Sequence, residues 1–212
     1  MKNKFQSIIF LFYIILYLNY TCTAYLISTN KKNFRKKNST LYCLIENAKY
    51  TNEFLYSSFE SNNYLDEDDD TSFKRKVFTN QISNKYSSHG NQFIWVLNRV
   101  GWLNDTYYIT NFFFKQEHLC ASHSHMDSFQ HRRRVMLNML NRESLMTNKK
   151  CMWVIKSISS TDPNLVGIWN NYYREAFYAA SDLFRSSVWN RRNVYLWYDK
   201  PDSKQFAWKL KC

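Results

Sequence analysis

The chain contains three versions of one short stretch, each a tryptophan among mostly apolar residues: Phe93-Ile94-Trp95-Val96-Leu97, Cys151-Met152-Trp153-Val154-Ile155 and Phe206-Ala207-Trp208-Lys209-Leu210. The tryptophans lie 58 and 55 residues apart. Recurrence at a nearly fixed spacing indicates that the chain is built from copies of one structural unit. We expect the tryptophans to pack in a shared core, because a residue present in every copy can fill equivalent places by symmetry.

Two further elements precede each tryptophan in a constant order. The nearer element is a basic cluster that leads into a valine: Lys74-Arg75-Lys76-Val77, Arg132-Arg133-Arg134-Val135 and Arg191-Arg192-Asn193-Val194. The farther element is an Ile-x-Asn segment followed by a glutamate: Ile45 to Asn47 with Glu53, Ile109 to Asn111 with Glu117, and Ile168 to Asn170 with Glu175. Because the glutamates fall in separate repeats, we expect structural acceptors of hydrogen bonds from turn amides or from the basic clusters, not a catalytic pair.

Each repeat holds four short segments rich in β-branched and aromatic residues, a composition typical of strands. Residues 169–184 could be mistaken for a helix, but no long helix is predicted. Three four-stranded units predict an all-β fold, the β-trefoil, with pseudo-threefold symmetry and repeats at about 41–98, 106–157 and 165–212. Closure around the axis removes exposed strand edges. A propeller is disfavoured, because three blades fall below the usual minimum of about four.

The N-terminus has the composition of a secretory signal. Two lysines precede an apolar run from Ile8 to Leu18, and small residues follow that suit cleavage after Ala24. A retained signal anchor is the alternative. Sequons at Asn38 and Asn104 predict N-glycosylation in the same compartment. We therefore expect a secreted, monomeric protein with three parts: a signal peptide at 1–24, a basic flexible tail at 25–40 and a β-trefoil domain at 41–212.

Cleavage would leave four cysteines, and an even number in an exported chain indicates disulfides. In a β-trefoil the first and last strands are neighbours, so we predict a bond between Cys43 and Cys212. Within repeat two, Cys120 closes the second strand and Cys151 opens the fourth. We predict that these two cysteines are also bonded to each other.

The chain is strongly basic, with 29 Lys and Arg against 17 Asp and Glu and a formal charge of +12. An exported basic protein meets acidic glycans, anionic lipid surfaces or acidic proteins more often than nucleic acids. We therefore predict an anion-binding surface, with a merely solvated basic surface as the alternative. Its candidate residues are Lys31, Lys32, Arg35, Lys36, Lys37, Arg132, Arg133, Arg134, Arg191 and Arg192.

Four of the five histidines fall within 14 residues, from His118 to His131. His123 and His125 can lie on one strand face, a spacing that suits zinc or copper, with Asp127 and His131 as further candidate ligands. The alternative, which we prefer, is a group of surface loop histidines, and no metal or cofactor is predicted. No Gly-rich phosphate loop, nucleophile elbow or free cysteine with a partner is visible, so no enzymatic activity is expected.

The three endings of the form x-x-Trp resemble the QxW signature of ricin-type β-trefoil lectin domains, with Phe93, Cys151 and Phe206 in the place of the glutamine. The fuller order of motifs is similar to exported insect trefoil proteins, such as the cysteine- and tryptophan-rich salivary proteins of mosquitoes and the trefoil half of haemolymph lipoproteins. The small residue of that pattern is present as Ser57, Ala121 and Ala179. The resemblance implies a binding role without an activity. Together with the charge, it predicts a partner among sulfated glycans or acidic proteins, with a neutral-sugar lectin and a trefoil-type protease inhibitor as alternatives.

Overall fold

The structure is a computed structural model that describes residues 40–62, 74–82, 90–101, 103–125, 132–186, 189–198 and 204–212. Several features predicted from the sequence lie outside these residues. They are the signal peptide, the basic tail with Lys31, Lys32, Arg35, Lys36 and Lys37, the sequon residue Asn38, and the candidate ligands Asp127 and His131.

Twelve strands in the described part of the chain form one continuous sheet, in three groups of four. The first group is β1 Thr40–Asn47, β2 Glu53–Asn62, β3 Lys74–Gln81 and β4 Ile94–Arg99. The second group is β5 Thr106–Asn111, β6 Glu117–His125, β7 Arg133–Met139 and β8 Met152–Ser157. The third group is β9 Leu165–Asn170, β10 Ala176–Ser186, β11 Trp189–Trp197 and β12 Ala207–Lys211.

Six of these strands close a barrel. Strand β1 pairs with β4, β4 with β5, β5 with β8, β8 with β9, β9 with β12, and β12 pairs back with β1. The other six form three hairpins, β2–β3, β6–β7 and β10–β11, whose second strands pair with one another in a ring. A six-stranded barrel capped by three hairpins is a β-trefoil, so the predicted fold class is confirmed.

The core lies on the pseudo-threefold axis and contains the three repeated tryptophans. Trp95, Trp153 and Trp208 have no exposed surface. Each indole Nε1 donates to the backbone carbonyl of an apolar residue in the second strand of its own repeat: Trp95 to Leu55 at 3.0 Å, Trp153 to Leu119 at 2.7 Å and Trp208 to Phe177 at 2.9 Å. Each indole therefore packs its rings and satisfies its one donor in the same way, as the repeat predicted.

One short α-helix interrupts the described strands, and it was not predicted from the sequence. This helix, α1, spans Arg142–Thr147 in the connection from β7 to β8 and is followed by a 3-10 turn at Lys149–Cys151. The Asn141 side chain caps it by accepting from the backbone N–H of Ser144, and Leu145 is buried. The helix-like composition at 169–184 instead belongs to the β9–β10 hairpin.

Both predicted disulfides are present. Cys43 in β1 is bonded to Cys212, which ties the chain's last residue to its first barrel strand. Cys120 in β6 is bonded to Cys151, which fixes the 3-10 turn against the β6–β7 hairpin. In the part of the chain that the structure describes, no helix has both the length and the apolarity to cross a membrane.

Candidate functional site

The repeated arginines and glutamates form three buried ion pairs between neighbouring repeats. They are Arg75 with Glu117 at 2.7 Å, Arg133 with Glu175 at 2.8 Å and Arg192 with Glu53 at 3.0 Å, each measured from the arginine Nε to a glutamate oxygen. In every pair the arginine also donates through Nη2 to the second carboxylate oxygen. Repeat one thus pairs with repeat two, two with three, and three with one. The predicted role of the glutamates, as acceptors for the basic clusters, is confirmed.

Each of these guanidinium groups is held on all sides. Arg75 stacks on the Phe114 ring with 3.7 Å between the guanidinium carbon and the ring centre, and its Nη1 donates to the carbonyls of Ser58 and Phe59. Arg133 stacks in the same way on Tyr173, and Arg192 on Tyr50, both at 3.5 Å. Bidentate pairing engages the N–H donors at the edge of the planar guanidinium, and stacking engages its face.

Three of the predicted anion-binding arginines are therefore not at the surface, and that part of the prediction is wrong. Arg133, Arg191 and Arg192 are 5%, 3% and 6% exposed. Arg191 lies on the opposite strand face from Arg192 and is paired with Glu60 at 2.7 Å. Their charges are neutralised inside the protein, which leaves none for an external anion. Arg132 and Arg134 are half-buried, and their role as anion ligands stays a prediction.

The asparagine that ends the first strand of each repeat builds a turn and ties it to the preceding repeat. In repeat three the Asn170 Oδ1 accepts from the amides of Tyr172 and Tyr173, and its Nδ2 donates to the Lys150 carbonyl at 2.8 Å. Asn47 and Asn111 do the same, with the carbonyls of Gln205 and Gln92 as acceptors. Each turn therefore lies against the connection between the third and fourth strands of the preceding repeat.

At the three junctions between neighbouring repeats, the buried residues are of the same kind and the exposed residues differ. The third turn residue is always the aromatic that covers an arginine, whereas the second is Lys49, Phe113 or Tyr172. The second strand of each repeat also has a residue whose carbonyl accepts a hydrogen bond from that arginine, and this residue is Phe59, His123 or Ser181. The scaffold does not require these exposed side chains to match, so they are the positions at which the three junctions can acquire different functions.

The junction of repeats two and three carries an open groove of about 710 Å³. Tyr172 forms one side, and α1 with the 3-10 turn forms the other. Most of the remaining lining is polar or cationic: Asn141, Ser144, Thr147, Asn148, Lys149 and Lys150. The disulfide at Cys151 and the hydrogen bond from Asn170 hold this wall in place.

The His123 side chain lies beside Lys150, which lines the groove. Its Nδ1 lies 3.4 Å from the Lys150 ammonium and 3.4 Å from the Tyr173 hydroxyl. Tyr172 is 53% exposed, so the phenol at the rim has a free face. From the sequence, His123 was predicted to be one of a group of surface loop histidines, with metal binding as the other interpretation, and the groove was not identified. The groove could not be identified because the β7–β8 connection is not one of the repeated motifs.

The other histidine with a described environment is structural. The His118 Nδ1 lies 2.9 Å from the Thr110 hydroxyl, and burial lowers the pKa of its imidazole. Among the described residues no group of three or more His, Cys, Asp or Glu is placed to hold a metal ion. The sequon residue Asn104 is exposed in the β4–β5 turn, while Thr106 is buried and donates to the Asn104 carbonyl.

The buried carboxylate of Glu46 in β1 is stabilised by contacts that include Lys211, at the end of β12. Burial by itself raises the pKa of Glu46, but the Lys211 ammonium at 2.8 Å and the Asn52 amide at 2.8 Å outweigh it and lower that pKa. Burial also raises the pKa of three core tyrosines, Tyr56, Tyr107 and Tyr108. None of these groups faces the groove.

No family model matches the sequence, and a comparison with curated proteins finds no match. Among solved structures, a salivary protein from Culex quiquefasciatus of the Cysteine and Tryptophan-Rich (CWRC) family is similar, with a TM-score of 0.55 and 16% identity over 82% of this chain and 94% of that chain. A Caenorhabditis elegans protein with unknown function has a TM-score of 0.61 and 11% identity over 85% of this chain and 97% of that chain. The designed threefold symmetric protein ThreeFoil has a TM-score of 0.52 and 14% identity over 80% of this chain and 96% of that chain. These likenesses confirm the β-trefoil fold and the predicted similarity to mosquito salivary trefoil proteins, and at these identities they carry the fold alone.

Proposed function

We propose that this protein is an exported, non-enzymatic binding protein for acidic glycans, and that the groove between repeats two and three is its binding site. The observation that carries the proposal is the groove's lining, which combines two lysines, several amides and hydroxyls and one exposed aromatic ring. Sugars present hydroxyls and apolar C–H faces together, and acidic sugars add sulfate or carboxylate. The lining offers a partner for each of these groups.

The individual side chains have complementary tasks. The exposed ring of Tyr172 can stack on a sugar face, since an aromatic ring presents a flat apolar surface with a polar tip. Ser144, Thr147 and Asn148 supply donors and acceptors for hydroxyls. Lys149 is exposed at the groove and supplies a mobile ammonium for an anionic substituent.

The distribution of charge supports an anionic ligand. Four of the acidic residues in the described part of the chain, Glu46, Glu53, Glu117 and Glu175, are buried and paired with cations. These four carboxylates are thus neutralised inside the protein, whereas Lys49, Lys115, Lys149 and Lys156 are exposed. The full chain has a formal charge of +12, and a net positive charge favours encounter with anionic polymers.

Retention on a heparin column at increasing salt tests the proposal. We expect the wild-type protein to elute above physiological salt, and the variant Lys149→Gln/Lys150→Gln to elute earlier. The matched control Lys115→Gln/Lys156→Gln removes the same charge from exposed residues elsewhere. Tyr172→Ala should weaken binding of a short heparin oligosaccharide in calorimetry without changing the net charge.

Three outcomes contradict the proposal. Elution of the wild type at or below physiological salt rejects an acidic glycan as the ligand. Equal losses in the two lysine variants reject the groove as the site, because only the total charge would then matter. Salt-insensitive binding to a neutral sugar on a glycan array favours the lectin alternative instead.

A further inference from the structure

The junction of repeats one and two has a different chemistry from the groove. Here the exposed positions are occupied by Phe59 and Phe113, which are 52% and 44% exposed. Phe113 lies in the β5–β6 turn, and Phe59 lies in β2. Two half-exposed phenylalanine rings present about 200 Å² of apolar surface to solvent, given the size of an aromatic side chain.

The two rings belong to a larger group that we call the aromatic patch, which consists of Tyr42, Phe59, Phe112, Phe113 and Phe114. Phe59 contacts both Phe113 and Phe114 edge to face, with 5.7 and 5.6 Å between ring centres, and Phe113 contacts Phe114 at 4.8 Å. Phe112, next along the turn, contacts Tyr42 at 5.9 Å. Tyr42 is itself 48% exposed, so the patch continues onto β1.

The fold does not explain these exposed rings. Phe114 covers the buried arginine and is required by the scaffold, like Tyr50 and Tyr173 in the other repeats. At the two variable positions the other junctions carry Lys49 with Ser181, and Tyr172 with His123. Equivalent backbone positions therefore tolerate polar residues, and phenylalanine in both places indicates contact with an apolar partner.

Among the described residues next to the patch in sequence, the charge left after ion pairing is positive. The two carboxylates nearest in sequence to its members, Glu60 and Glu117, are neutralised by Arg191 and Arg75. Lys115 is exposed in the same turn as Phe113. Apolar rings beside an exposed cation are complementary to an anionic lipid surface, in which acyl chains lie beneath negatively charged headgroups.

We infer that the aromatic patch binds the surface of an anionic lipid bilayer, with Phe59 and Phe113 inserted at the level of the headgroups. A second copy of the chain is a poorer partner, because two molecules of charge +12 repel each other. The attachment is peripheral and reversible, since a few side chains enter the interface while the β-trefoil stays outside it. This surface is distinct from the groove, which lies at a different junction.

Co-sedimentation with vesicles tests the inference. We expect the wild-type protein to bind phosphatidylcholine vesicles that contain phosphatidylserine, and to bind pure phosphatidylcholine vesicles much more weakly. Phe59→Ser/Phe113→Ser should lower the partition coefficient about tenfold or more, because it removes the inserted apolar area. The control Ile158→Ser/Tyr198→Ser changes two exposed apolar residues elsewhere, which are 46% and 81% exposed, and should bind like the wild type.

Thermal melting of each variant checks that it is folded, and Lys115→Gln gives a second reading that leaves the rings intact. That variant should lose affinity only for the anionic vesicles. The inference is overturned if the wild type does not bind anionic vesicles, or if the phenylalanine variant binds as well as the control. It is also overturned if light scattering shows a dimer that the phenylalanine substitutions dissociate. The groove variant Lys149→Gln/Lys150→Gln should keep most of its vesicle binding, which separates this result from the heparin test.

Discussion

Removal of one member of the ring of ion pairs should destabilise the whole domain. In Arg133→Met the Glu175 carboxylate stays buried, with a side chain that is only 7% exposed, and loses both of its arginine hydrogen bonds. An uncompensated buried charge of this kind costs about 3–5 kcal/mol. In a domain of this size that loss lowers the melting temperature by about 10 °C.

A double-mutant cycle measures the coupling directly. Glu175→Gln removes the charge but keeps the shape, and leaves Arg133 without its anion, so it should also be strongly destabilising. The double variant Arg133→Met/Glu175→Gln should lose clearly less stability than the sum of the two single losses, since neither charge is then left alone. Arg132→Met is the matched control, because Arg132 is half-buried, stacks on the Tyr195 ring and is not a member of the three ion pairs, so this substitution should cost below about 1 kcal/mol.

Urea unfolding of the disulfide-bonded protein at neutral pH gives the free energies. The prediction is wrong if Arg133→Met costs no more than the Arg132→Met control. It also fails if the two single losses simply add, because the pair would then not act as a unit.

Three further predictions concern stability. Replacing Cys43 and Cys212 together by alanine opens a loop of 169 residues and should cost about 5 kcal/mol in the free energy of unfolding, measured under the same urea conditions; a loss below about 1 kcal/mol would contradict it. Gly167→Ala places a Cβ 2.1 Å from the Trp169 ring, so the indole must move, and the melting temperature should drop by several degrees, about 1–3 kcal/mol in free energy; an unchanged melt would show that the ring moves at no cost. The pKa of His118 is depressed in the folded state, so its contribution to stability is complete above the ordinary value of 6.5 and is lost as the pH falls below it. Melting temperatures between pH 7 and 5 should therefore decrease, and His118→Gln should flatten that slope; an equal slope in both proteins would exclude this histidine as the cause.

The parts of the fold that could be predicted from the sequence are those that recur in all three repeats. Trp95, Trp153 and Trp208 recur because each fills the same place in the barrel and donates to the same kind of carbonyl. The bond between Cys43 and Cys212 followed from the adjacency of first and last strands. Because the scaffold is symmetric, each structural requirement appears in all three repeats. The repeats of a single sequence can therefore be compared with one another.

The same comparison could have corrected the arginine assignment. An arginine stands two residues before the valine in every repeat, and Arg75 and Arg133 each lie 42 residues before their glutamate partners. Side chains that recur in all three repeats are structural, whatever their chemistry. The basic clusters were instead assigned to anion binding because of their charge. The groove could not be found in this way, since α1 lies in the β7–β8 connection, outside the repeated motifs, and the walls of the groove meet through tertiary packing.

The closed cycle of ion pairs makes every repeat dependent on both others. Glu53 emerges early during synthesis, yet its partner Arg192 follows 139 residues later. A nascent chain that has only two repeats outside the ribosome therefore holds a carboxylate with no counter-ion and a half-built barrel with open edges. The barrel and the ring of ion pairs can therefore close only after the third repeat has been synthesised, and removal of β12 should prevent folding.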